Sequence, residues 1–231
     1  VSEDFGTNWK AISTGLTNAV NVIVEDSANE NILYVGTDNG LFISLDKGTS
    51  WQDFSNGMPK VAVHDAVIQT KSKELVVGTH GRSLYKIDVS KVQELTDVVL
   101  KKSLHLYDIE NRTKSDRWGN KRYAWGEVNA PSQTIWFYSN SAEAITLSIT
   151  NAAGMVVYSE KTTAEKGLNS FVYDYAISKE VADKWNKKDK KTQLKAANDA
   201  KIYLPAGTYK VTISKNKQTE NKTFEVSEPK K

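Results

Sequence analysis

The sequence predicts an all-β chain: an incomplete β-propeller of about two blades, then an immunoglobulin-like β-sandwich. Three observations carry that expectation. First, "SEDFGTNW" begins at Ser2 and "SLDKGTSW" at Ser44, and the pairs Ser2/Ser44, Asp4/Asp46, Gly6/Gly48 and Trp9/Trp51 all lie 42 residues apart. Second, short β-branched runs bounded by Gly, Asn and Asp recur along the chain, and repeats of about 40–45 residues built from short strands mark propeller blades. Third, charge divides the chain. Residues 1–97 hold 8 Lys+Arg against 13 Asp+Glu, whereas residues 98–231 hold 23 against 15. Two domains of opposite sign follow from that split.

The repeat extends beyond the turns. "YVGTDNGLFISLD" (34–46) lies over "VVGTHGRSLYKID" (76–88), matching Gly36/Gly78, Thr37/Thr79 and Asp46/Asp88. In the complete blade, "VNVIVED" (20–26) is apolar and β-branched enough for a buried innermost strand. "ILYVGT" (32–37) is the second strand. "GLFIS" (40–44) is the third, reached through the hairpin signal Asn39-Gly40. "SWQDFS" (50–55) is the outer strand, so the repeated turn joins strands three and four. Leu84–Asp88 ends the second set, and no third Ser-x-Asp-x-Gly-x-x-Trp follows. The chain thus starts inside one blade's turn, contains one whole blade and supplies three strands of the next. Since closed propellers have about four to eight blades, further blades are expected, in the same polypeptide or in a separate chain.

The turn residues read as structural. Ser and Asp oxygens accept from amides within a tight turn, Gly adopts a backbone conformation that a Cβ disfavours, and the Trp drops onto the flank of the sheet. Ser2, Asp4, Gly6, Trp9, Ser44, Asp46, Gly48 and Trp51 are therefore assigned to fold maintenance. This pattern resembles the Asp-box, and residues 1–97 resemble the closing blades of an Asp-box (BNR-repeat) propeller of the sortilin, sialidase and xyloglucanase type. The likeness is strongest to large secreted bacterial proteins called glycosyl hydrolases for their repeats alone, which end their propellers with segments like 76–88 and then carry a β-sandwich.

Residues 98–104 read as a linker and 105–231 as the sandwich. "SKVQELTDVVLKKSLHL" (90–106) suggests a helical turn followed by a lead-in strand. Strands are expected at 134–139, at 144–162 with a turn at Ala153-Gly154, and at 169–177, 207–214 and 221–227. About seven short strands with regular turn signals indicate an immunoglobulin-like sandwich. The pattern "LSITNAAGMVVYS…GLNSFVYDY…YLPAGTYKVTI" resembles the flagellar-hook-cap type. Trp136 and Tyr138 share one parity on their strand and are expected in its core. The Lys-rich insertion at 178–201, with Val181, Trp185 and Leu194 as a ragged stripe, reads as a partly ordered, solvated excursion.

In a blade of this topology the 2–3 turns and the start of strand one share the top face, opposite the repeated turns. Asp38, Asn39, His80 and Arg82 are then candidate top-face binding residues, with His64 and Asp65 near the inner channel. A salt bridge that locks the last blade to its neighbour is the simpler role for Arg82. His64, His80 and His105 lack metal-ligand spacing, so no metal site and no cofactor are expected. The absence of Cys excludes disulfides and thiolate ligands. Lysines without interleaved stacking aromatics argue against nucleic acid, and no apolar run approaches the ~18 residues of a membrane span.

Catalytic residues are not assignable. The propeller portion has a single Arg, Arg82, whereas a sialidase-like site requires several, and no pair of carboxylates can be placed across a glycosidic bond. The expected function is therefore a non-catalytic binding or scaffold portion of a larger secreted or cell-surface propeller protein of the bacterial envelope, recognising protein or glycan partners. The alternative is the C-terminal tail of a glycoside hydrolase, sialidase- or xyloglucanase-like, whose catalytic residues lie upstream.

Overall fold

The computed structural model describes residues 1–55, 57–190 and 192–229. Lys191 of the Lys-rich insertion, and Lys230 and Lys231 at the end of the expected sandwich, lie outside the described residues. Strand occupies 43% of the chain and helix 8%, which settles the all-β class. Two compact units are present, Val1–Val98 and Val99–Lys231, so the charge split at residue 97 falls one residue from the structural boundary.

In the first unit β1 (Val20–Glu25), β2 (Leu33–Thr37), β3 (Gly40–Ser44) and β4 (Gln52–Asp53) form a four-stranded antiparallel sheet in sequential order. β5 (Val63–Gln69), β6 (Glu74–Thr79) and β7 (Leu84–Asp88) form a second sheet, also sequential, with β7 at its edge. All seven strands fall where the 42-residue repeat places them, although the outer strand β4 is only two residues long. The packing between the sheets turns on a glycine. A Cβ on Gly36 of β2 would come within 2.5 Å of Val63 Cγ1 and 2.7 Å of Val22 Cγ1. Only a residue without a side chain lets β5 lie this close.

The expectation of a buried first strand is overturned. β2 is buried along its whole length, whereas β1 alternates between exposed and half-buried residues. Val20 and Ile23 are 45% and 51% exposed, and Val67 on β5 is 59% exposed. A strand's two faces are buried independently, and within this unit β1 and β5 leave one face each uncovered.

After β7 the chain turns through α1 (Ser90–Gln93) and α2 (Asp97–Leu100), which spans the boundary between units. α1 closes the first unit by a polar contact. Gln93 Nε2 donates to both oxygens of the buried Asp26 at 3.1 Å. Asp26 also accepts from the amides of Ala28 and Asn29 and from the Tyr34 hydroxyl. A buried carboxylate is tolerable only when satisfied in this way. Beside it, burial drives the Tyr34 phenol pKa well above its usual value, and the Asp26 charge adds to the effect.

The second unit opens with β8 (Leu104–Leu106) and β9 (Arg112–Thr113). It continues with β10 (Gln133–Ser139), β11 (Glu143–Asn151), β12 (Val156–Ala164), β13 (Gly167–Tyr173), β14 (Ala176–Ile177), α3 (Lys179–Lys188), β15 (Ile202–Tyr203), β16 (Gly207–Lys215) and β17 (Gln218–Ser227). The strands form a three-stranded sheet, β13-β10-β8, a five-stranded sheet, β12-β11-β16-β17-β9, and a two-stranded ribbon, β14-β15. Both larger sheets feed one core. Leu106, Ile135 and Phe137 come from the first, and Leu147, Ile149, Val211, Ile213 and Phe224 from the second.

Two expectations fail here. The core expectation for β10 holds for Tyr138, which is buried with its hydroxyl on the Leu100 carbonyl, but not for Trp136, which is only half-buried while its neighbours Ile135 and Phe137 join the core cluster. The Lys-rich insertion contains an ordered helix. Ser178 caps α3 by accepting from the Val181 amide, and Val181, Ala182, Trp185 and Leu194 pack on the core. Lys179, Lys184, Lys187 and Lys188 of α3 stay at the surface while the apolar stripe docks, the ordinary division of an amphipathic helix.

Candidate functional site

The two Ser-x-Asp-x-Gly-x-x-Trp segments fold into the same turn. In the second copy the Ser44 hydroxyl donates to Asp46 Oδ1 at 2.8 Å and accepts from the Gly48 amide at 2.8 Å. Asp46 accepts from the Ser50 amide at 2.8 Å and the Ser50 hydroxyl at 2.6 Å. The first copy repeats this pattern. Ser2 donates to Asp4 at 2.9 Å and accepts from Gly6 at 2.7 Å, and Asp4 accepts from the Asn8 amide and side chain at 2.8 and 2.6 Å. Backbone conformation matches as well: Phe5 and Lys47 have φ of 57° and 54°, Gly6 and Gly48 of 89° and 83°.

Hydrogen bonding to the charged form keeps both carboxylates ionised. Asp4 is held below 3.8 chiefly by the Asn8 amide and side chain. For Asp46 burial pulls the pKa upward, but the Ser50, Ser44 and Thr49 hydrogen bonds outweigh it and the pKa falls. With their oxygens committed to the turn, these carboxylates have the environment of structural acceptors, not of a general acid, whose pKa must be raised.

The copies differ in what covers them. Trp51 donates from Nε1 to the Ile12 carbonyl at 2.7 Å, and a Cβ on Gly48 would lie 2.8 Å from Ile12 Cβ. Trp9 reaches only its own turn, donating to the Gly6 carbonyl at 3.1 Å, and is 77% exposed. Phe5 is fully exposed.

At the opposite ends of the two sheets lies a second repeated feature. Val20 pairs with Thr37 and Val22 with Gly36, so Asn21 is the extra residue of a β-bulge. Val63 pairs with Thr79 and Asp65 with Gly78, which makes His64 its counterpart. The Asp38 amide donates to the Ala19 carbonyl at 3.1 Å, as His80 does to Ala62 at 2.8 Å. Bulges re-aim side chains, and each bulged residue meets the residue that follows the Gly-Thr pair. Asn21 Nδ2 donates to Asp38 Oδ1 at 2.9 Å, and the His64 and His80 rings meet edge to face with centroids 5.3 Å apart.

Asp38, Asn39, His64, Asp65, His80 and Arg82 are all exposed. Within the first sheet Asp38 and Asn39 sit at the end opposite the Ser44–Trp51 turn; within the second, His64 and His80 meet and Arg82 stands in the β6–β7 loop that also carries His80. Asp65 accepts from the neighbouring Ala66 amide at 2.9 Å. Sequence reading missed Asn21, whose role follows only from the bulge.

Of the aromatics in the second unit, Trp118 is buried against Tyr175 and Tyr203, with centroids at 5.1 and 6.0 Å. Trp125 is 86% exposed and stacks on Tyr123 at 5.2 Å with planes 10° apart. A groove of about 790 Å³ lies in this unit, lined by Tyr158, Phe171, Tyr173 and Val181 among others, and contains none of the expected binding residues. Among the described residues no three His, Asp, Glu or Cys side chains cluster as a metal site would require, and no helix is long and apolar enough to cross a membrane.

No family model and no curated protein matches this chain. Similar solved structures include the GH74 xyloglucanase from Xanthomonas campestris, 13% identical over 90% of this chain and 39% of that one, with a TM-score of 0.27. Another is dimeric latent PorU from Porphyromonas gingivalis, 11% identical over 95% and 17%, TM-score 0.30. A third is the BSP domain of a biofilm-associated protein, 10% identical over 93% and 26%, TM-score 0.30. The chain spans well under two thirds of each of these proteins, and TM-scores this low establish no common fold.

Proposed function

We propose that this chain is a non-catalytic binding or scaffold portion of a larger secreted or cell-surface Asp-box propeller protein. In this reading the two sheets of the first unit are blades, and the second unit is an immunoglobulin-like sandwich. The observation that carries it is the turn built twice with one set of hydrogen bonds, the second copy sealed by Ile12 of the preceding repeat. A repeat sealed by its predecessor belongs to an array in which each unit contacts only its neighbours.

Two further observations support the architecture. Among the described residues β7 has no partner on its outer side, and its Leu84 is 73% exposed, the edge that a borrowed strand covers in a ring. In the second unit the Tyr209 hydroxyl donates to the Pro205 carbonyl at 2.7 Å, the tyrosine corner found in immunoglobulin-like sandwiches.

Function then rests with the exposed rim: Asp38, Asn39, His64, His80 and Arg82 offer donors and acceptors of both signs to a protein or glycan surface. Turnover tests whether the chain itself is non-catalytic, and binding tests the rim. The purified chain should hydrolyse neither aryl sialosides nor xyloglucan, while Arg82→Ala and Asp38→Ala should weaken capture of whichever glycan or surface protein the chain retains. Turnover that follows the purified chain and is lost in Asp65→Asn or Arg82→Ala would overturn the non-catalytic reading.

A further inference from the structure

The β5 bulge brings together two imidazoles that stand 16 residues apart in the sequence. His64 is the bulged residue between two paired positions, and His80 follows β6 with its amide tied to the Ala62 carbonyl. Both backbones are thus fixed, both side chains are exposed, and the rings stand 5.3 Å apart with planes at 67°. Two imidazoles bound through nitrogen to one tetrahedral ion, at about 2.0–2.1 Å each, place their centroids roughly 5 Å apart. The observed separation is compatible with that of a chelating pair.

The counterpart pair in the first sheet sharpens the point. Asn21 and Asp38 satisfy one another by a hydrogen bond. At the same two positions His64 and His80 put two imidazole rings in edge-to-face contact, with no hydrogen bond between them among the described residues. His105, by contrast, has Lys102 Nζ 3.2 Å from its Nδ1, and a cation there opposes a metal.

We infer that His64 and His80 form a two-imidazole site for a divalent transition-metal ion of the imidazole-binding class, Cu²⁺, Ni²⁺ or Zn²⁺. Two protein ligands leave coordination positions for water or for a carboxylate of a bound partner, on the rim where Asp38, Asn39 and Arg82 also stand. The ion site does not depend on the scaffold reading; only its use in partner capture does. It revises the expectation of no metal site, which rested on sequence spacing that cannot register a bulge.

The test is titration of the full chain with CuCl₂ and, separately, ZnCl₂ in chelator-free buffer by calorimetry, with electron paramagnetic resonance of the Cu²⁺ form. One equivalent should bind, Cu²⁺ more tightly than Zn²⁺, with nitrogen hyperfine structure from two imidazoles. His64→Gln and His80→Gln each leave a single ligand and should weaken binding by about 10²-fold, the lower end of the gain from linking two ligands. His105→Gln should bind as the parent does. Both rim residues are exposed, so melting temperatures of the metal-free variants should match the parent; if one variant unfolds, the hyperfine pattern of the unmodified chain still decides. Absence of saturable Cu²⁺ binding, a one-nitrogen spectrum, or affinity that depends on only one of the two histidines would overturn the site.

Discussion

The turns at Ser2–Trp9 and Ser44–Trp51 share every hydrogen bond that defines them, yet one is sealed and the other bare. The difference separates two layers of stabilisation. Hydrogen bonds between residues two to four apart shape the turn and need nothing from outside. The tryptophan needs a neighbour: Trp51 finds the Ile12 carbonyl, whereas Trp9 folds back on its own Gly6 carbonyl. The motif is therefore a self-sufficient turn carrying an anchor for the repeat before it.

Tryptophan deletion should split the copies most widely. Trp51→Ala removes a half-buried indole and leaves the Ile12 carbonyl without its donor, and should cost about 3 kcal/mol. Trp9→Ala alters an exposed side chain and should stay within about 0.5 kcal/mol. Urea unfolding of each variant checks the pair; equal losses would mean that Ile12 adds nothing.

Glycine substitution should come next. Ala at Gly6 or Gly48 meets the strain of positive φ, about 1 kcal/mol. At Gly48 the new methyl also presses on Ile12, which should raise the cost to about 2–3 kcal/mol. Gly48→Ala combined with Ile12→Ala should recover part of that excess, a coupling that a double-mutant cycle reads directly.

The elements read correctly from the sequence are those fixed by local chemistry. Ser44, Asp46 and Gly48 are joined by hydrogen bonds, so their spacing alone specifies the turn, and Asn39-Gly40 places its hairpin for the same reason. Contacts between distant segments were hidden. Nothing near Trp51 names Ile12 as its partner. In β10 both parities are apolar, and only the packing of the second sheet selects Ile135 and Phe137 over Trp136. Trp118 sits in a polar stretch and is buried by Tyr175 and Tyr203, more than fifty positions on. At the rim, residue types were legible but their pairing was not, because a one-residue bulge shifts which side chains meet.

Removing the carboxylates should have smaller effects. Asp46→Ala should cost about 1 kcal/mol, since water reaches the vacated amides, and Asp4→Ala should cost less. Acid should follow the same order. A carboxyl whose pKa is lowered on folding contributes fully above its unfolded value, near 3.8, and loses that contribution as pH falls through the lower folded value. The stability gap between the parent and Asp46→Asn should therefore hold from pH 7 to 5 and close below 3.8. A gap that closes instead between pH 5 and 7 would point to a histidine.

The central claim, that Trp9 marks a surface awaiting another repeat, is open to direct measurement. Residues 1–42 duplicated immediately before Val1 would set Phe42 against Val1 where the sequence now has Phe42 before Ile43, keeping the 42-residue register. The copy of Ile12 would then stand to Trp9 as Ile12 now stands to Trp51. Iodide quenching of Trp9, read in a chain whose other tryptophans are Phe, should fall sharply on duplication, together with a higher urea midpoint. A folded added repeat that leaves Trp9 as open to iodide as before would contradict the account.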